Sequence, residues 1–438
     1  MPRTKHLIST LLLLPSLLLG AYAHAGPDIQ HWRTENGARV FFVEAPDLPM
    51  VDIRVVFDAG AARDGELPGL AMLTNGMLEE GAGGMDADAI AQRFDSLGAR
   101  FSAGSHRDMA TAGLRSLTRP ELLEPALETF ALMLSRPDFP QNALERVRRQ
   151  MLTGLQYEEQ QPGEIAGKAF YRALYGDHPY ANPPGGTQES VSRIGRNDVQ
   201  EFYRRYYVAQ NAVVAIVGKL KREEAERLAE TAVGALSAGK AAEKLPAVAE
   251  LEQGVRKHIE HPSSQTHVLM GQPGVRRGDP DYFPLYVGNH ILGGSGLVSR
   301  ISEEVREKRG LSYSAYSHFS PMRAKGPFVL GLQTRNENTR EALQVLRETL
   351  VNFRKDGPGE EELVAAKKNI TGGFALKIDS NSDILGYIAM IGFYGLPLDY
   401  LETFNDRVEA VSLAQIHDAF TRRVNPDHLT TITVGTGQ

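Results

Sequence analysis

Between residues 51 and 57 the chain reads Val-Asp-Ile-Arg-Val-Val-Phe, apolar and polar positions alternating with the period of a half-buried strand. The period then changes. Apolar residues recurring every three or four positions predict helices over 87–97, 120–134 and 140–160. Another is predicted over 198–206, leading into an apolar strand over 211–218. Farther along, strands are expected at 267–270 and 328–332, and helices at 340–354 and 360–369. Leu70, Leu73 and Met77 stand at i, i+3 and i+7, the buried face of a further helix over 69–80. Strands and helices come in blocks with hairpin-like strand pairs, not in strict alternation, which favours an α+β fold.

The pattern is also duplicated. Phe101-Ser-Ala-Gly-Ser-His106 returns as Tyr313-Ser-Ala-Tyr-Ser-His318. Glu201-Phe-Tyr-Arg-Arg205 followed by Asn211-Ala-Val-Val-Ala-Ile-Val-Gly218 returns as Asp418-Ala-Phe-Thr-Arg422 followed by His428-Leu-Thr-Thr-Ile-Thr-Val-Gly435. The displacements nearly agree and the order is kept, as expected of two similar domains. Leu236 to Gly254, rich in Ala, Glu and Lys with Pro246, is the expected linker, giving domains over 26–235 and 255–438.

Composition narrows the class. A chain of 438 residues with 42% hydrophobic and 23% charged residues is long enough for two substantial cores. A net charge of -6 makes no electrostatic case for nucleic acid or an anionic membrane. The basic run Arg146-Val-Arg-Arg149 reads as a solvated helix face. Arg3 and Lys5, the apolar stretch Leu7 to Leu19 and the small-x-small Ala23-His24-Ala25 form a cleavable signal peptide over 1–25. The apolar stretch is short for a membrane span. The chain has no cysteine, so an exported protein of this kind relies on its core and not on disulfides. The periplasm is the expected compartment, with no membrane association after cleavage.

Sites of self-sufficient chemistry are scarce. Gly293-Gly-Ser-Gly296 lacks the Lys-Ser/Thr ending of a phosphate loop. In His258-Ile-Glu-His261 the two imidazoles lie three apart in an extended segment, pointing to opposite faces, so they do not converge on a metal. His178, in Gly176-Asp-His-Pro-Tyr180, reads as a structural loop residue. Leu297, Ile301 and Val305 recur every four residues as a buried stripe, Gly310 is a natural helix stop, and Tyr313 opens the strand that follows.

Two segments resemble the insulinase-type (M16) metallopeptidases. Residues 69–77, Gly-Leu-Ala-Met-Leu-Thr-Asn-Gly-Met, resemble the family's metal helix, in which His-x-x-Glu-His follows a similar Gly-Leu-Ala lead-in. Met72, Asn75 and Gly76 fall where His, Glu and His would stand. Such a hydrolase needs two imidazoles one turn apart and a carboxylate base, and these residues supply neither. The family's third ligand, a Glu on a helix downstream, falls at or near Gly154, with Glu158 one turn on. Residues 291–317 strongly resemble the family's Gly-rich loop, helix and strand. There the family carries an Arg and a Tyr seven positions apart, from the half opposite the zinc, that help hold substrate and its polarised carbonyl; Arg306 and Tyr313 match them.

The resemblance implies two homologous α+β domains, each an antiparallel sheet packed with helices, together forming half of a clam-shell. It further implies a non-catalytic subunit with no metal of its own. The zinc would sit in a partner M16 subunit bearing His-x-x-Glu-His. This chain would supply Arg306, Tyr313 and a chamber loop of Gly293, Gly294 and Gly296 to a shared site for peptide substrates. Two alternatives stand beside it: a peptide-binding or structural protein without catalytic partnership, and an active zinc metallopeptidase by itself, against which the emptied helix speaks.

Overall fold

The computed structural model describes residues 26–436; the signal peptide expected over 1–25 lies outside the described residues. Two sheets carry the architecture. In the first half run β1 (Gln30–Arg33), β2 (Arg39–Glu44), β3 (Met50–Phe57), the short hairpin β4 (Gly81–Ala82) and β5 (Met85–Asp86), β6 (Arg100–Ser105), β7 (Ala110–Leu117) and β8 (Ala212–Gly218). All but the hairpin join in the order β1-β2-β8-β3-β7-β6. In the second half β9 (Arg256–Glu260), β10 (Gln265–Pro273), β11 (Ala315–Phe319), β12 (Pro327–Arg335) and β13 (Thr430–Gly435) join as β11-β12-β10-β13-β9.

Read from one edge, the two orders are the same: β6-β7-β3-β8-β2 is repeated as β11-β12-β10-β13-β9. The duplication expected from the sequence is therefore a duplication of sheet topology. The strand pairs are antiparallel except at one place in each half, β2 with β8 and β9 with β13, which run parallel. A hairpin cannot join parallel neighbours. Between β2 and β8 the chain therefore travels through most of the first half before returning.

Both faces of each sheet are covered, which explains why β8 is apolar throughout and buried at all seven positions. On one face Val40, Phe42, Ile53, Val55, Val214 and Ile216 pack with Leu73, Met77 and Phe130 from helices of the same half. On the other, Phe41, Val43, Val56, Val213 and Val217 pack with Ile388 and Ile391 of the helix Asn381–Tyr394, which belongs to the second half. Gly392 lets that helix lie close, since a Cβ there would stand 2.6 Å from the Phe41 ring. The exchange is mutual: Phe170 and Leu174 of the first-half helix Pro162–Tyr175 pack on Val329, Ile432 and Val434 of the second sheet. Each such fully buried side chain contributes roughly 2 kcal/mol. Residues 237–251 carry no regular secondary structure. Leu245, Val248 and Leu251 within them rest on the same Phe170 cluster.

Candidate functional site

The helix that resembles a metal site runs from Leu70 to Gly76 and continues as a 3-10 turn, Met77–Glu79. Leu70, Leu73 and Met77 are buried, as their spacing predicts. Gly69, at φ +96, turns the chain into the helix. The carboxylate of Asp64 accepts from the backbone N–H groups of Gly69 and Ala71, both at 2.7 Å, satisfying donors that a helix start leaves open. Burial pushes the Asp64 carboxyl up to about 7, against the pull of those two donors.

The three positions of interest do structural work. Asn75, 2% exposed, donates from Nδ2 to the carbonyl of Thr111 at 3.2 Å and to the Tyr207 hydroxyl at 3.3 Å. Met72 is half-buried. Gly76 faces the helix Gln141–Glu158, where a Cβ would stand 3.8 Å from Val147. On that helix Gly154 has open space around its α-carbon, and Glu158 pairs with Lys168 at 2.6 Å. Met72, Asn75, Gly76 and Gly154 do not fit a zinc ion. Among the described residues no group of three or more His, Cys, Asp or Glu is placed to hold a metal.

The second candidate site lies on the second sheet. Ser299 caps a short helix, Arg300–Ser302, which widens into a π-helical turn over Glu303–Glu307. Arg300 grips Glu362 through two bonds of 2.7 and 2.6 Å, fixing this segment to the helix Glu360–Phe374. Ile301 and Val305 are fully buried, but Leu297 is 60% exposed, against the expected three-residue stripe. The cause is local: Leu297 lies in a separate 3-10 turn, Gly296–Val298, and extended Ser299 breaks it from the helix that starts at Arg300, so the spacing from 297 does not carry through. Gly310, at φ +61, closes the turn with its N–H on the Arg306 carbonyl at 2.9 Å.

Tyr313 stands two residues before β11 and not within it, and is 83% exposed. The Arg306 guanidinium lies over its ring, 4.5 Å from the centroid, and approaches Glu307 at 3.5 Å. Gly293 is buried where a Cβ would stand 2.4 Å from Ser317 Oγ of β11, so only glycine fits there. Gly294 and Gly296 are exposed. All three glycines line a cavity of about 900 Å³ with Tyr316, His290 and His318. Burial pushes both histidines below their usual range, so they are neutral near pH 7. The structure thus brings the Gly-rich loop and β11 to one cavity, with the Arg306–Tyr313 stack just before that strand; the emptied helix belongs to the other sheet.

His258 and His178 are structural in their contacts. His258 lies on β9 and bonds Thr433 Oγ1 through Nδ1 at 2.9 Å. His178 accepts the Tyr180 N–H at Nδ1 and meets the Pro246 carbonyl with Nε2, both at 3.1 Å, tying the connecting segment to the first half.

A junction between the halves was not foreseen. Buried Asp108 accepts from the Tyr180 hydroxyl at 2.5 Å, the Tyr394 hydroxyl at 3.0 Å and the Arg323 N–H at 2.7 Å. Asp58 nearby is held by Arg63 at 2.8 and 3.0 Å and by Arg323 at 3.2 Å. The partners come from both halves, and nothing in the local sequence of Arg107-Asp108 announces them.

Two repeated sheets, each backed by a helix from the other half, with one metal helix emptied, define a metallopeptidase-like half-shell. The comparisons agree. Residues 39–188 match the family "Insulinase (Peptidase family M16)" and residues 193–370 match "Peptidase M16 inactive domain". A crystal structure of a peptidase M16 inactive domain from Pseudomonas fluorescens is similar at 43% identity and a TM-score of 0.91, covering 94% of this chain and 98% of that one. A Helicobacter pylori protein named "Non-peptidase homolog YmxG" is 28% identical over 92% of this chain and 94% of its own. A Bacillus subtilis protein named "Uncharacterized zinc protease YmxG" is 24% identical over 81% and 85%. The chain belongs to the M16 peptidase family, as a non-catalytic member.

Proposed function

We propose that this chain is the exported, non-catalytic subunit of a two-chain M16 zinc peptidase. The partner is a subunit of similar size that keeps His-x-x-Glu-His and supplies the zinc, the activated water and the general base. This chain, with its leader over 1–25 removed, supplies chamber wall and the Arg306–Tyr313 pair from its domain over 255–438, joined through 236–254 to the domain over 26–235. The observation that carries the reading is the contrast between a metal helix filled with packing residues and an exposed phenol with a half-buried guanidinium stacked on it. A positive charge and a phenolic donor stabilise a developing oxyanion where water is scarce. Gly293, Gly294 and Gly296 keep the loop low enough for an extended peptide to pass. The substrates are peptides or unfolded segments, and the work of this subunit is orientation.

The test is peptide hydrolysis by each chain alone and by the mixture. Activity is expected only in the mixture. Arg306→Ala and Tyr313→Phe should each lower its rate by roughly tenfold or more, chiefly in kcat, as removal of an oxyanion donor does. Stoichiometric zinc and cleavage by the isolated chain would overturn the reading. A mixture whose rate ignores both substitutions would remove the role given to the pair.

A further inference from the structure

The duplication extends to the emptied helix. Buried and half-buried positions run in the same order over 71–78 and over 285–292. Tyr286, Asn289 and His290 therefore stand at the repeat positions of Met72, Asn75 and Gly76. The helix Glu360–Phe374 repeats Gln141–Glu158, each being the second α-helix after β12 or β7. Tyr286 and His290 from the first of these helices, and Asn369, Ile370 and Gly373 from the second, line the cavity of about 900 Å³ beside β11. The second half thus keeps a space at the repeat of the metal position.

Its lining is basic and unmatched. Arg277 and Lys377 line it, and no Asp or Glu among the described residues does. The Lys377 ammonium reaches only the Tyr286 hydroxyl, at 3.5 Å. The Arg277 guanidinium rests against the rings of Tyr394 and Tyr282, 5.4 and 6.0 Å from their centroids. Its buried Nε has no hydrogen-bond partner among the described residues. A buried donor left without an acceptor is costly, so this wall is completed by an acceptor from outside the chain. His290, held by the Asn369 side chain, adds a further ring nitrogen to the wall.

The rest of the lining is apolar or aromatic. Val275, Leu285, Phe319 and Ile370 contribute, and the rings of Tyr282 and Tyr286 stack at 5.7 Å. Leu297 and Val298, which follow the lining Gly296, and Leu376, which precedes Lys377, are exposed. A ligand for this place carries a negative charge on an apolar body. We propose that the cavity binds the free carboxylate at the C-terminal end of a peptide, with Arg277 and Lys377 on the carboxylate and the last apolar side chain against the tyrosine rings. The proposal rests on the reading of this chain as a peptide-handling subunit, and adds which end of the peptide is held. An acidic side chain offers the same chemistry, but its chain must continue on both sides. A space of this size, walled by two helices and β11, encloses a small group better than a passing chain.

The test is calorimetric titration of the isolated chain, Gly26 to Gln438, with N-acetylated Gly-Ser-Ala-Leu-Leu. The peptide is offered as the free acid, as the C-terminal amide, and as an amide with Glu in place of its alanine. Neither partner nor zinc is needed, so failure here is distinguishable from failure of the peptidase reading, which the mixture of chains tests. The free acid should bind at least about tenfold more tightly than either amide, and added salt should narrow the difference. Lys377→Ala should remove most of that preference with an unchanged melting temperature, because its side chain is exposed and makes one long bond. Arg277→Gln should do the same; where its loss unsettles the rings around it, Lys377→Ala decides alone. Equal binding of acid and amide, no binding of any peptide, or a preference that survives Lys377→Ala would overturn the proposal. So would a Glu-containing amide that binds as tightly as the free acid, since the cavity would then belong to acidic side chains.

Discussion

Phe94 and Phe101 in the first half, and Arg306 and Tyr313 in the second, occupy the same two places in the repeat. Phe101 and Tyr313 head the matching segments before the two edge strands' shared Ser-Ala motif, and each partner stands seven residues earlier. Both pairs stack: the phenylalanine rings at 6.1 Å between centroids, the guanidinium over the phenol at 4.5 Å. The phenylalanines are joined to the core with Phe130, whereas Tyr313 stands in the open. A buried aromatic pair holds a scaffold together. An exposed cation–π pair is worth only about 0.5–1 kcal/mol. The second half thus has an exposed phenol and a half-buried guanidinium where the first half has two rings packed on its core.

The sharpest way to break this comparison is to truncate one member of each pair. Phe94→Ala should destabilise the protein by about 3–5 kcal/mol in urea unfolding, the usual penalty for emptying an aromatic site in a core. Arg306→Ala should change stability by no more than about 1 kcal/mol. Similar losses from both would mean that Arg306 is a packing residue, and the argument for a site at this place would fall.

Much of the fold was legible in the sequence, because its signals were local. The helix expected over 87–97 is observed at Ala87–Leu97, and the strand read from alternation over 51–57 is observed as Met50–Phe57. The doubled order of elements proved to be a doubled sheet order. The helix Asn381–Tyr394 gave no periodic signal, since Leu385, Ile388, Ala389, Ile391 and Phe393 are buried around most of its circumference. Leu297 misled because its spacing imitates a helix that begins three residues later. That Met72, Asn75 and Gly76 cannot hold a metal was plain from residue type, once the resemblance had marked the positions. Asn75's bonds to Thr111 and Tyr207, and the ties between Asp108 and both halves, depend on contacts distant in sequence that no local pattern encodes.

The comparison extends to the helices that start the two sites. Asp281 is the residue before the helix Tyr282–Asn289, which corresponds to Leu70–Gly76. Arg422 holds it with bonds of 2.9 and 2.8 Å and Arg423 with one of 2.6 Å. These bonds pull its carboxyl down to about 2, below the ordinary 3.8. A carboxyl lowered on folding contributes stability that is present above its ordinary value and is lost as pH falls through the folded one. Asp281→Asn should therefore cost about 1 kcal/mol above pH 5, and the cost should shrink as pH falls from 3.8 through about 2. A cost undiminished over that range would show that the loss is one of packing and not of charge.

Asp64 caps the corresponding helix with the opposite sign. Among the described residues no cation is bonded to it; its partners are the N–H groups of Gly69 and Ala71, and burial raises its carboxyl from 3.8 to about 7. A carboxyl raised on folding binds its proton more tightly in the folded state. Its contribution is then complete below pH 3.8 and declines as pH rises through about 7. Between pH 5 and 8 this residue should make the protein slightly less stable with rising pH, and Asp64→Asn, which cannot titrate, should flatten that slope. The two carboxyls thus give the halves opposite responses to acid. Hydrogen exchange at the two helices would separate them: protection over 70–76 should weaken as pH rises after correction for intrinsic exchange, and protection over 282–289 should weaken only toward pH 2. If the slope survives Asp64→Asn, another group carries it, and the buried carboxyl is not the source of the first half's response.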